Sequence, residues 1–278
     1  MADFIKKIAN IDRRYIFILI ALTVIIPLLF PIGMPVTETK EVMAVYDYIE
    51  KLPQGSAILV AMDYDPAALA EVYPMTLAVF HHAFSRKIKV VGMTLWNTGA
   101  ALGELAMREA AGDIARVGED YVYLGYVVGD VNVIMRMGED ISAVYPTDYG
   151  GKPLAESPMM KGIKNYKDIA LIVDIAAGAT PELWVAYAGD MFKKDIAVGC
   201  TAVSAVGYYP FLNTKQIIGL IGGMKGAAEY EKLVKSRGTA TAGMDSQSIA
   251  HILIILLIII ANISYFVMRR KDKLLKKA

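Results

Sequence analysis

The sequence predicts an α/β protein whose mostly parallel, doubly wound sheet sits in a three-layer domain between two transmembrane helices. Three observations lead there. Two uncharged apolar runs lie near the chain ends, strand-length apolar runs alternate with helically spaced ones between them, and positive charge gathers at the extremities.

Residues 15–33, YIFILIALTVIIPLLFPIG, and 249–268, IAHILIILLIIIANISYFVM, are uncharged apart from the titratable His251. Each is close to the ~20 residues that a helix needs to cross the hydrocarbon core. The first follows a basic flank, as a signal peptide does, yet its apolar run exceeds the ~7–15 residues of a cleaved leader. The prolines and bulky residues of FPIGMPVTETK offer no small-x-small cleavage site, so an uncleaved anchor is expected. Asn262 and Ser264 inside the second run suit hydrogen bonding between helices.

Charge then sets the orientation. Residues 1–14 carry Lys6, Lys7, Arg13 and Arg14 against Asp3 and Asp12, a net +2; the tail from Arg269 carries six basic residues against Asp272, a net +5. With a chain total of +1, the remainder holds −6. The positive-inside rule places both ends in the cytoplasm and the main domain outside. An acidic middle gives no footprint for nucleic acid. The basic tail reads as a topology signal and a contact for the lipid bilayer. The organisation expected is a cytoplasmic N-terminus (1–14), a first transmembrane helix (15–33), an extracytoplasmic domain (34–238), a small-residue polar linker (239–248), a second transmembrane helix (249–268) and a basic tail (269–278).

One cysteine, Cys200, cannot form a disulfide within the chain, so the outer domain must fold by burying a core. Val42, Val45, Tyr46 and Ile49 have helical spacing, ended by Pro53. Strands are expected at 56–62, 88–94, 120–127, 168–175 and 195–205, as continuous β-friendly runs of the kind buried on both faces. Helices are expected over 65–87 with a bend at Pro74, and over 97–114, 130–137, 180–192 and 213–235. The stretch 138–166 has no regular pattern; loops of this length are commonly binding loops or lids. Strand–helix alternation with apolar strands implies a Rossmann-like sheet covered on both faces.

In such sheets ligands bind beyond the carboxyl ends of the strands. The polar residues that fall there are Asp63, Thr94, Trp96, Asn97, Asp174, Thr201 and Ser204, with Tyr145 and Tyr149 of the long loop as further ligand or partner candidates. Asp63 and Asp174 end apolar strands, where an unpaired carboxylate is costly. Backbone amides of the loops, a polar ligand or a hard cation could each satisfy them. Asp65 and Thr180, each followed by proline, match helix caps. Adjacent His81 and His82 diverge by ~100° on a helix and cannot clasp one ion. Cys200 lacks a nucleophile signature and reads as a small hydrophobe.

Gly219, Gly222, Gly223 and Gly226 fall at i, i+3, i+4 and i+7, as one flat helix face for packing or oligomerisation. No G-x-S-x-G elbow, P-loop or H-E-x-x-H occurs, and neither metal nor cofactor is expected. The function expected is a membrane-anchored binding or scaffold module associating with another membrane protein or with itself. The alternative is a surface-tethered hydrolase or transferase that uses the strand-end carboxylates.

Overall fold

A computed structural model describes residues 12–236 and 238–275. The basic residues Lys6 and Lys7 and the tail from Lys276 lie outside the described residues. The chain divides into two units, Pro35–Ala240 and a second built from the segments before and after it.

In Pro35–Ala240, six parallel strands form one sheet: β1 (Ala57–Asp63), β2 (Lys89–Thr94), β3 (Tyr121–Tyr126), β4 (Ile169–Ala176), β5 (Ile196–Cys200) and β6 (Gly219–Gly222). Their order is β3-β2-β1-β4-β5-β6, so strand order reverses between β1 and β4. This is the Rossmann-like doubly wound arrangement. Nearly every strand residue is buried, because helices cover both faces and only apolar side chains satisfy both.

One helical layer consists of α2 (Lys40–Lys51), α3 (Leu69–Ser85), α4 (Ala100–Ala111) and, beyond β6, a helix over Gly223–Leu233. The other face carries α5 (Asp130–Met137), the single turn α6 (Ile141–Val144), α7 (Thr180–Leu183) continuing into a π-helical turn over Trp184–Asp190, and α8 (Ala202–Asn213). The patternless stretch after Gly138 is therefore structured: three short 3-10 turns follow α6, and Tyr145, Leu154, Met159 and Tyr166 enter the core.

Two readings of the sequence are corrected here. Residues 195–205 are not one strand; β5 stops at Cys200 and α8 begins at Ala202, its first amide accepted by Glu71 at 2.8 Å. The four glycines do not share a helix face. Gly219 and Gly222 bound β6, and Gly223 turns the chain at φ +61° into the helix α9 (Gly223–Leu233), where only Gly226 follows. Gly219 lets β6 approach the neighbouring helix, since a Cβ there would meet the Glu41 carbonyl of α2 at 2.6 Å.

Three side chains of α9 tie down both ends of this unit. Buried Glu229 accepts from the amide and hydroxyl of Thr39 at 2.8 and 2.7 Å and pairs with Lys225. Buried Glu231 accepts from the amides of Gly238 and Ala240, each at 3.0 Å. Lys232 donates to the Val36 carbonyl at 2.6 Å and pairs with Glu38 at 2.9 Å.

The second unit holds α1 (Arg13–Leu29) and α10 (Thr239–Leu275). Only α10 is long and apolar enough to cross a membrane among the described residues. The run at 15–33 is shorter as a helix than the sequence suggested. Asp12 caps α1 through the Arg14 amide, and the chain leaves the helix at Phe30, before Pro31 and Pro35. Its 17 residues span about 26 Å, short of a ~30 Å hydrocarbon core. Residues 239–248 are not a linker but the first turns of α10. Asp245 there accepts the amides of Gly33 and Met34 at 2.7 and 2.8 Å, and Ser246 donates to the Val24 carbonyl at 3.1 Å. Asn262 donates to Ile258 of its own helix.

Candidate functional site

The switch point between β1 and β4 brings together the buried side chains of Asp63, Thr94, Asp174 and Thr180. Asp63 pairs in register with Ala176, and Asp174 with Ala61, so both carboxyls project from the same face of adjacent strands. Both are fully buried. Asp63 Oδ1 accepts from the Leu95 amide at 2.6 Å and lies 3.2 Å from the Thr94 hydroxyl, while Oδ2 accepts from the Trp184 indole at 3.4 Å. Asp174 faces Asp63 and Thr180, but neither of its oxygens completes a hydrogen bond of ordinary geometry.

Burial raises both groups. Asp63 is pushed up to about 6, its backbone and indole donors opposing the rise, and Asp174 is driven well above the usual carboxylate range by burial and by the Asp63 charge. Two buried carboxyls this close resist ionising together, and Asp174, which lacks the donors that Asp63 has, is the more strongly raised of the two.

Thr180 is corrected as a cap. Ala179 occupies that position, and the Thr180 hydroxyl is buried beside Asp174 with no capping bond. Asp65 does accept from the Ala67 amide at 2.9 Å, in front of Pro66.

The pair is closed to solvent. Trp96, from the turn after β2, lies so close to the β4 turn that a Cβ on Gly178 would meet its ring at 2.6 Å. Tyr208 of α8 donates to the Gly178 carbonyl at 3.0 Å, and Trp184 is fully buried beneath. No protein-family model and no curated protein matches this chain. Among solved structures it is similar to trehalose-6-phosphate synthase, OtsA, at 8% identity and a TM-score of 0.31, covering 86% of this chain and 47% of that one. The chain thus spans about half the length of that structure, and so slight a likeness bears on neither substrate nor activity.

The remaining candidates separate into three places. Thr94 belongs to the carboxyl pair. Thr201 and Ser204 bond to one another at the start of α8, 3.1 Å apart. Asn97, Tyr145 and Tyr149 line a cleft of about 360 Å³ beyond the ends of β2 and β3. Cys200 is buried, its thiol pushed up to about 12 by burial and by Asp174, which leaves no thiolate nucleophile. His82 stacks on Tyr46 and bridges Tyr230 and Glu50 at 2.9 and 3.0 Å, a packing network on the other face of the sheet.

Sequence reasoning missed Gly178 and Gly125. The last is needed at φ +74° because any side chain there would strike the Tyr149 ring at 2.5 Å. The short Gly-Ala loops around Gly178 were the available signal.

Proposed function

We propose that this chain is a membrane-anchored extracytoplasmic α/β binding or scaffold module that works within a membrane assembly, crossing the bilayer once with α10 and a second time with the short α1 extended by the non-helical apolar residues up to Gly33, so that both termini are cytoplasmic. The observation that carries it is the burial of the carboxyl pair at the switch point. Ligands of doubly wound sheets enter there, and here both strand-end carboxyls are buried, with Trp184 against Asp63 and with Trp96 and Tyr208 packed on the Gly178 turn. Both Asp63 and Asp174 are closed to solvent.

Two further features support an assembly role. The exposed side of α8 presents Val203 (87% exposed), Val206 (74%) and Tyr209, on a helix without a charged residue. The Asp245 and Ser246 contacts join α1 to α10 as a helical pair, which favours insertion of both as a hairpin.

The test is the state of the full-length protein purified in mild detergent. Light scattering and cross-linking in native membranes should find an oligomer or a co-purifying membrane protein. A strict monomer that captures nothing from the membrane would count against the proposal. Reporter fusions after Met34 should face outward.

The adjacency of Asp63 and Asp174 favours a second reading, a hydrolase or transferase whose crevice opens on substrate binding. Paired carboxyls held in different protonation states are the arrangement that general acid–base chemistry uses. That reading requires turnover that disappears in both Asp63→Asn and Asp174→Asn.

A further inference from the structure

Given the binding-module reading, on which this rests, we infer that the cleft beyond β2 and β3 binds a neutral, hydroxyl-rich ligand of the oligosaccharide class. Its lining includes the apolar Leu124 and Val144, the rings of Tyr126, Tyr145 and Tyr149, and the polar Asn97, Thr147 and Asp148.

The lining decides the ligand class by what it offers. No lysine, arginine or histidine lines the cleft, so an anionic group would meet no cation there. Asp148 is its one carboxylate, too few for a hard cation that takes six or more oxygens, and its Oδ1 already accepts from the Lys152 amide at 2.8 Å. What remains is one amide, hydroxyls, the second oxygen of Asp148 and three aromatic rings. Sugar rings match that set, because their C–H faces stack on aromatic planes while their hydroxyls both donate and accept.

Tyr149 is built as the stacking platform. Its amide donates to the Tyr123 carbonyl at 2.7 Å, its ring packs on Tyr123 at 5.3 Å, and Gly125 leaves the space beneath it. The side chain still stays 45% exposed. An exposed ring that is already fixed loses little freedom on binding. Tyr145 lines the cleft as well, with its hydroxyl buried.

A second hollow of about 140 Å³, lined by Glu104, Arg108, Tyr121 and Tyr123, shares Asp148 and Tyr149 with the cleft, and its one cation, Arg108, is already paired with Glu104. Tyr149 thus borders both hollows, which suits at least two linked sugar rings. An extended peptide would instead pair with the open edge of β3, where the Tyr149 amide already occupies Tyr123.

The experiment titrates full-length protein in nanodiscs with maltotetraose, cellotetraose and tetra-N-acetylchitotetraose, following saturation-transfer NMR and calorimetry, with tetra-alanine and inorganic phosphate alongside. At least one sugar should bind. Tyr149→Ala should weaken it about tenfold, as loss of one central aromatic contact does. Tyr149→Trp should restore binding, and Asn97→Ala should weaken it severalfold with an unchanged melting temperature. Folded protein that ignores all three sugars, binding indifferent to Tyr149→Ala, or a preference for the peptide or phosphate overturns the site. Conversion of a bound sugar into products would leave the site standing and overturn the non-enzymatic reading instead.

Discussion

Asp174 lies beside Asp63 across the β1–β4 seam, offset by two residues in register, and both are fully buried. Both carboxyls are raised above their unfolded values, so the folded protein binds protons that the unfolded chain releases. Stability should therefore fall as pH rises. The Asp63 contribution is fully present near pH 4 and is lost as pH climbs through about 6; that of Asp174 persists to higher pH. Each proton taken up is worth about 1.4 kcal/mol per pH unit within its window. Thermal melts from pH 4 to 9 should show this slope, and Asp174→Asn, which keeps a donor facing Asp63, should flatten its upper part.

Trp96 and Gly178 fit as plug and socket. Gly178→Ala should cost ~1–3 kcal/mol by overpacking, and almost nothing in a Trp96→Ala background. A double-mutant cycle read by chemical denaturation measures that coupling; additive costs would mean that the two residues do not meet.

Gly125→Ala should destabilise by ~1–3 kcal/mol, since it combines a positive φ with a collision against Tyr149. Hydrogen exchange should show the loop around Asp148 and Tyr149 opening first, with sugar binding weakened in parallel.

Ser246 reaches the backbone of Val24, and the native cysteine is buried. A Val24→Cys, Ser246→Cys protein should form an intramolecular disulfide under mild oxidation in native membranes, seen as faster electrophoretic migration. Val24→Cys paired with a cysteine at Leu256 should not.

The five longer strands were legible because β-branched and aliphatic runs bounded by glycine, proline and aspartate admit little else. β6 was not. Four residues, two of them glycine, run straight into α9, so the glycine spacing imitated a helix face. The misreading of 195–205 has the converse cause: AVSAV is as apolar and branched as a strand, yet it begins an exposed helix capped by a carboxylate 131 residues away. Asp63 and Asp174 could be placed at the sheet's carboxyl end from sequence, as could the loop tyrosines. Whether a crevice stands open depends on how Trp96 packs over a distant glycine, and local pattern carries no trace of that. The turn over 239–248 looked like a tether because its residues are small; Asp245 and Ser246 hold it helical through partners more than 200 positions earlier.

Because α9 grips Thr39 with Glu229, the 36–38 segment with Lys232 and the 238–240 segment with Glu231, tension on either end of the domain is carried first by one eleven-residue helix. The central strands are shielded from such a pull. Mechanical load would peel α9 from the sheet while leaving β1 and β4 paired, so the carboxyl seam is the part of the fold that traction reaches last.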